Sequence, residues 1–220
     1  MHTPHELELL WETFARDEQL SVQQVEQFQK YCALLLDWNT RMNLTAIVDP
    51  LEVIQCHFQD ALKIASCVNM LAVKVCADVG SGAGFPGIPL KIAFPALTVI
   101  LIETNAKKIS FLEHVIAELG LEDIHIYHDD WRSFIRTGQL TVDLFCARAS
   151  LAPTELLRVI RSGSIHRNAL LVYFASRHWV PTEKEKEFVI SYYPYQVGVR
   201  QRQLVLFGRD RAHSLLGITR

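Results

Sequence analysis

Apolar positions in the first 70 residues recur at helical spacing. Val22, Val25, Phe28, Cys32, Leu35 and Trp38 lie three or four apart, which predicts one face of a helix. Ser21, with Gln24 three residues on, has the capping-box pattern that starts such a helix. Asp49-Pro50-Leu51-Glu52 is a second start signal, with Asp as N-cap and Pro at the first helical position. The helix it opens carries His57 and Asp60 on adjacent turns. From about residue 73 short apolar runs alternate with helical stretches. Strands are predicted at VKVCADV (73–79), TVILIE (98–103), DIHIYH (123–128), VDLFCAR (142–148) and ALLVYFA (169–175). Residues 105–120 form a helix closed by Gly120 as C-cap. YYPYQVG (192–198) and RQLVLFG (202–208) have little helix between them and read as an antiparallel hairpin. This alternation predicts an α/β, Rossmann-like, mostly parallel sheet, with ligands beyond the carboxyl ends of its strands. No linker composition separates the two regions. Residues 1–70 therefore read as a helical extension packed on a main domain of residues 71–220, one structural unit.

Charge changes this picture. The chain's −2 is a gradient. Residues 1–70 hold 4 Lys/Arg against 10 Asp/Glu, residues 71–147 hold 6 against 9, and residues 148–220 hold 12 against 5. A cationic C-terminal third suits a polyanion, with the acidic N-terminal part facing away. No apolar run approaches the roughly 18 residues of a membrane span, so no membrane partner is expected. The N-terminus, with two early glutamates and no cationic start, does not read as a signal peptide. Five dispersed cysteines without a CxxC pair argue against a disulfide framework or a zinc site and favour a reducing cytosol. No metal is expected.

The densest chemical signal is Asp78-Val79-Gly80-Ser81-Gly82-Ala83-Gly84-Phe85-Pro86-Gly87, in a strand-to-helix turn. Glycines there permit the turn and let backbone approach a ligand closely. The same stretch contains G-x-G-x-x-G, the dinucleotide pattern. Glu103, at the end of the next strand, suits ribose hydroxyls in either reading. Asp78 would repel a pyrophosphate if it faced the site, and would attract the sulfonium and ammonium of S-adenosylmethionine. This favours a methyltransferase over a nicotinamide oxidoreductase, which stays open as an alternative.

Taken together, the motifs resemble the bacterial 16S rRNA guanine-N7 methyltransferases of the RsmG (GidB) family. The resemblance covers roughly residues 25–210. It rests on Trp38-Asn39 with Asn43-Leu44-Thr45, Asp49-Pro50, His57 with Asp60, and the loop DVGSGAGFPGIPL. Glu103, Lys107-Lys108, Phe111-Leu112 and Arg148-Ala149 continue it. It implies a class I fold with a seven-stranded sheet, S-adenosylmethionine as cofactor, and 16S rRNA in the small ribosomal subunit or its precursor as partner. Cofactor contacts are expected at Asp78, Gly80, Gly82, Gly84, Phe85, Glu103, Asp130, Trp131, Arg132 and Arg148. RNA contacts are expected at Lys107, Lys108, Arg148 and Arg177. The protein is expected to be cytoplasmic and monomeric. Two departures stand out. The family usually has a small residue then Glu at Trp131-Arg132, and Lys-Gly where this chain has Ala175-Ser176, followed by Arg177.

Guanine N7 carries a free lone pair on the major-groove edge, so methylation there requires no general base, and no catalytic residue is nominated. Catalysis is expected from positioning alone. Three alternatives are a small-molecule methyltransferase, a nicotinamide oxidoreductase and a non-catalytic or altered-specificity RNA-binding descendant. The two departures point to the last.

Overall fold

The computed structural model describes residues 3–137 and 140–217. Two helices open the chain, α1 (Pro4–Asp17) and α2 (Val22–Asn39), each started by a complete capping box, at Thr3/Glu6 and Ser21/Gln24. Asp49 caps α3 (Pro50–Val53) through Leu51 and Glu52, as its Asp-Pro signal predicts. The predicted regular helix beyond it is broken. A π-helical turn, Ile54–Gln59, leads into α4 (Asp60–Leu62) and a 3-10 turn, Lys63–Ser66. Such turns redirect side chains and are common where function demands an unusual orientation.

The sheet is built from β1 (Val75–Val79), β2 (Thr98–Ile102), β3 (Ile124–Tyr127), β4 (Leu144–Arg148), β5 (Leu170–Ser176), β6 (Val189–Val197) and β7 (Arg200–Phe207). Its order is β3-β2-β1-β4-β5-β7-β6. The first five strands pair in parallel, while β7 runs antiparallel between β5 and β6. Continuous apolar runs such as TVILI reflect burial on both faces. Pro194 sits in β6, an edge strand, where its missing N–H is tolerated. The connecting helices are α5 (Gly87–Ala93), α6 (Ala106–Leu119), α7 (Trp131–Thr137), α8 (Pro153–Leu156) and α9 (Glu183–Lys186). Gly120 closes α6 in the left-handed region at φ 60°.

Alternation along the strands divides the interior. Cys76, Val99, Leu101 and Cys146 join Phe14, Phe28, Tyr31, Leu35 and Phe58 in one cluster, so the N-terminal helices share their core with the sheet. Ala77, Val79, Ile100, Phe145 and Ala147 face the other side, against Trp131, Phe134, Leu157 and Ile160. Among the described residues no helix is long and apolar enough to cross a membrane.

Candidate functional site

A cavity of about 480 Å³ lies beyond the carboxyl ends of the parallel strands. Val79 and Gly80 after β1, Ile102 to Thr104 after β2, Asp129 to Arg132 after β3 and Ala149 to Leu151 after β4 line it, with Lys108 and Glu155. This is where open α/β sheets bind ligands, and the volume is of the size such sites have.

Backbone geometry explains the glycine at position 80. It has φ 70°, and an added Cβ would stand 2.5 Å from the Ser150 Cβ. Ala149 also lies in the left-handed region, at φ 53°, a strained conformation of the kind that clusters at functional sites. Glu103 is buried and holds the turn together: one oxygen accepts from the Gly82 N–H at 2.9 Å, the other from Thr104 and Asn105, both at 2.9 Å. A carboxylate has about four acceptor positions, so room remains for a further donor. Asp129 accepts from the Asp130 N–H, and Asp130 accepts from the Ser133 N–H at the start of α7. Trp131 is buried edge-on to Phe145, at 5.5 Å and 81°. Its Nε1 and the Ser150 Oγ are buried without hydrogen-bond partners among the described residues. Arg132 reaches Glu155 at 2.8 Å, a pair in which the arginine is well exposed. The lining carries four carboxylates, Glu103, Asp129, Asp130 and Glu155, against two cations, Lys108 and Arg132.

The structure thus brings Gly80, Glu103, Asp130, Trp131 and Arg132 together, along with Lys108, which was expected on RNA. Five residues expected on the cofactor lie outside this lining. Gly82 and Gly84 belong to the turn itself, Gly82 half-buried and Gly84 buried against Ile88 and Tyr31. Asp78 is fully buried beneath the turn, where one oxygen accepts from the Gly87 N–H at 3.0 Å and the other has no hydrogen-bond partner among the described residues. Burial pushes its carboxyl up to about 7, against donation from Gly87 and the field of Arg148. The expected attraction of Asp78 for a cation in the cavity is therefore corrected: strand alternation turns it towards the N-terminal helices, and the negative field comes from the lining.

Phe85 and Arg148 are turned the same way. The Arg148 guanidinium donates to the Cys56 carbonyl at 3.1 Å, to Asp60 Oδ2 at 3.1 Å and to His57 Nδ1 at 3.1 Å. It also lies 4.9 Å over the Phe85 ring, which stacks on His57 at 4.4 Å. These contacts set the Arg148 side chain on the face of β4 covered by the N-terminal helices, outside the cavity lining in which a cofactor contact was expected. Because a guanidinium only donates, His57 Nδ1 accepts and Nε2–H points at Thr45 Oγ1, 2.9 Å away. Burial, reinforced by Arg148, pushes the imidazole down to about 3, so it stays neutral. Asp60, fully buried, also accepts from Arg202 at 3.0 Å and from the Tyr195 hydroxyl at 2.6 Å. Along β6, Tyr193 and Tyr195 turn inward and Tyr192 outward. Lys107 and Arg177 are exposed.

Sequence reasoning missed Thr104, Asp129, Ser150, Leu151 and Glu155. Ser150 adjoins the Arg148-Ala149 motif and Asp129 precedes Asp130, so proximity was a usable signal for those two. Glu155 has none, because its place in the lining depends on a contact between separate helices, its ion pair with Arg132 of α7. Among the described residues no group of His, Cys, Asp or Glu is arranged to hold a metal ion.

A family model described as GidB, rRNA small subunit methyltransferase G, matches residues 24–185. The chain belongs to this family. Ribosomal RNA small subunit methyltransferase G of Geobacillus kaustophilus is 45% identical over 132 residues, covering 59% of this chain and 56% of that protein. Its counterpart in Thermoanaerobacter pseudethanolicus is 46% identical over 136 residues, covering 60% and 56%. The matched part of the chain spans just over half the length of these curated relatives. Among solved structures, a mutant of MtNAS in complex with S-adenosylmethionine superposes with a TM-score of 0.53 at 13% identity, covering 93% of this chain and 78% of that one. The mitomycin 7-O-methyltransferase MmcR superposes with a TM-score of 0.53 at 14% identity, covering 95% and 74%. These likenesses establish the class I methyltransferase fold of this GidB-family chain. The antiparallel β7 between β5 and β6 also separates it from the all-parallel dinucleotide-binding order.

Proposed function

We propose that the protein is an S-adenosylmethionine-dependent methyltransferase that modifies guanine N7 in 16S rRNA of the small ribosomal subunit or its precursor, acting as a cytoplasmic monomer. One observation carries the reading: the cavity at the carboxyl edge of the sheet, where Gly80, Glu103, Asp130 and Trp131 converge. Its residues fit the cofactor. A Cβ at position 80 would fill the close approach to Ser150, Glu103 keeps acceptor capacity, and the excess of carboxylates suits a cationic nucleoside. When bound, S-adenosylmethionine supplies an electrophilic methyl group on a sulfonium.

The chain's own task is orientation. Gly80 gives backbone access, Glu103 is the acceptor for ribose hydroxyls, and Asp130 is the acceptor for an adenine amino group. Guanine N7 attacks with its own lone pair, so no side chain has to remove a proton. Holding nucleophile and electrophile in line at about 3 Å supplies the acceleration. Exposed Lys107 and Arg177 are suited to phosphates, which position RNA without reading its sequence.

The test is incubation with labelled S-adenosylmethionine and unmethylated small subunits, followed by mapping of N7-methylguanine. Label at a single guanine is expected. Cofactor binding without incorporation would replace this reading with a non-catalytic RNA-binding descendant. Binding of NAD in place of S-adenosylmethionine would replace it with an oxidoreductase.

A further inference from the structure

The glycine turn is moulded around a side chain from the N-terminal helices. Tyr31, in the middle of α2, is fully buried, and its hydroxyl donates to the Ala83 carbonyl. Its ring stacks on Phe85 at 5.4 Å and 26°, and on Phe58 at 5.3 Å and 29°. Gly84, at φ 95°, leaves the space: a Cβ there would meet the Tyr31 hydroxyl at 2.8 Å and Ile88 Cδ1 at 2.5 Å. Burial keeps the phenol protonated, so it remains a donor.

The contact reaches the cavity through two adjacent residues. Tyr31 fixes the Ala83 carbonyl, while the neighbouring Gly82 N–H is fixed by Glu103, which lines the cavity. The Ser81 carbonyl closes the turn by accepting from Gly84 at 2.8 Å and Phe85 at 3.0 Å. Displacing Ala83 therefore pulls Gly82 away from Glu103 and disturbs the wall next to Gly80.

We infer that Tyr31 is a positioning residue for the cofactor: it holds Gly82 to Phe85 in the binding-competent conformation, so that α2 serves the site without lining it. The inference rests on the methyl-donor reading above. A site competent in only a fraction of molecules binds with its intrinsic Kd divided by that fraction. Removing the hydroxyl leaves the Ala83 carbonyl buried without its donor, a strain the turn relieves by leaving this conformation.

The experiment is calorimetric titration of S-adenosylmethionine into the full-length chain, compared across Tyr31→Phe and Phe14→Leu. Phe14 packs on Phe28 at 5.0 Å and Phe58 at 6.2 Å, so trimming it softens the same aromatic cluster away from the turn. Tyr31→Phe is expected to weaken binding about tenfold. It is also expected to raise KM for the donor while leaving kcat at saturation within about twofold. Phe14→Leu is expected to lower Tm and leave Kd unchanged. Equal affinity of wild type and Tyr31→Phe overturns the inference, as does equal weakening by both variants. Absence of binding in the wild type overturns the methyl-donor reading itself, and the inference falls with it. Should Tyr31→Phe fail to fold, amide exchange in the wild type decides: S-adenosylmethionine is expected to slow exchange around Tyr31 together with Gly82 to Phe85, and protection confined to the turn overturns the inference.

Discussion

Replacing Asp60 with Ala tests whether the N-terminal helices are fastened to the sheet by charge or merely by apolar packing. Asp60 is fully buried and is met by Arg148 at 3.1 Å, Arg202 at 3.0 Å and the Tyr195 hydroxyl at 2.6 Å. Its partners come from β4, β6 and β7, so one carboxylate joins the extension to three strands. Removing one partner of a buried pair costs about 3–5 kcal/mol, because the remaining charge is left uncompensated. The side chain of Arg148 is 11% exposed and that of Arg202 20%, so Arg202 has the easier route to water and the lower half of that range applies. At about 2–4 °C per kcal/mol for a chain of this size, Tm should fall by about 6–16 °C. The assay is urea unfolding at neutral pH, with Tm as a check. Adding Arg202→Met to Asp60→Ala should recover part of the loss, since it removes one uncompensated cation. A loss below about 1 kcal/mol, or no recovery in the double variant, would refute the argument that charge fastens this joint.

Other outcomes follow from the same geometry. Gly80→Ala should abolish S-adenosylmethionine binding in calorimetry, because its Cβ meets Ser150 at 2.5 Å. Gly120→Ala, at φ 60° with nothing among the described residues within 4 Å of the added Cβ, should cost about 1–2 kcal/mol and leave binding intact. For Asp78, the folded carboxyl sits at about 7 against an ordinary 3.8, so its contribution to stability is full below pH 3.8 and is lost as pH rises through 7. Asp78→Asn does not titrate, so its stability relative to wild type should climb across that window by up to about 4 kcal/mol. His57, depressed to about 3, gives the opposite slope between pH 3 and 6.5 but is common to both proteins and cancels. A difference independent of pH in paired urea titrations would contradict this. Arg177→Glu should weaken small-subunit binding and reduce its logarithmic salt slope by about 1 with Tm unchanged; an unaltered slope removes Arg177 from the RNA face.

β1, β2, β4 and β5 were legible because doubly buried parallel strands are short unbroken apolar runs, and Asp49-Pro50 and Ser21/Gln24 announced their helices through local capping chemistry. The glycine turn was legible because only a few residue types tolerate its backbone. What stayed hidden depends on tertiary contact. The π-helical turn at Ile54–Gln59 has no local signature, yet it sets His57 and Asp60 towards β4. The hub at Asp60 draws Arg148, Tyr195 and Arg202 from 88 to 142 residues away, a distance over which spacing carries no information. Asp78 and Arg148 were assigned to the ligand side because motif proximity says nothing about which face of a strand a side chain takes; both occupy the face covered by the N-terminal helices.

A reaction without a general base places its whole demand on geometry, where a displacement of about 1 Å costs on the order of 100-fold in rate. Loops at the edge of a sheet are ordinarily the least stable parts of a domain. Here the far side of the glycine turn is not left to itself. Tyr31 holds Ala83, His57 stacks on Phe85, and Asp60 ties Arg148 to the C-terminal hairpin. The N-terminal helices thus act as a back wall whose rigidity is transmitted through the turn, leaving the front free for ligands. The same logic accommodates the Trp131-Arg132 departure. Trp131 fills the core beneath the cavity, and Arg132 is answered by Glu155, so the added cation does not reverse the negative balance of the lining, which suits the proposed sulfonium ligand.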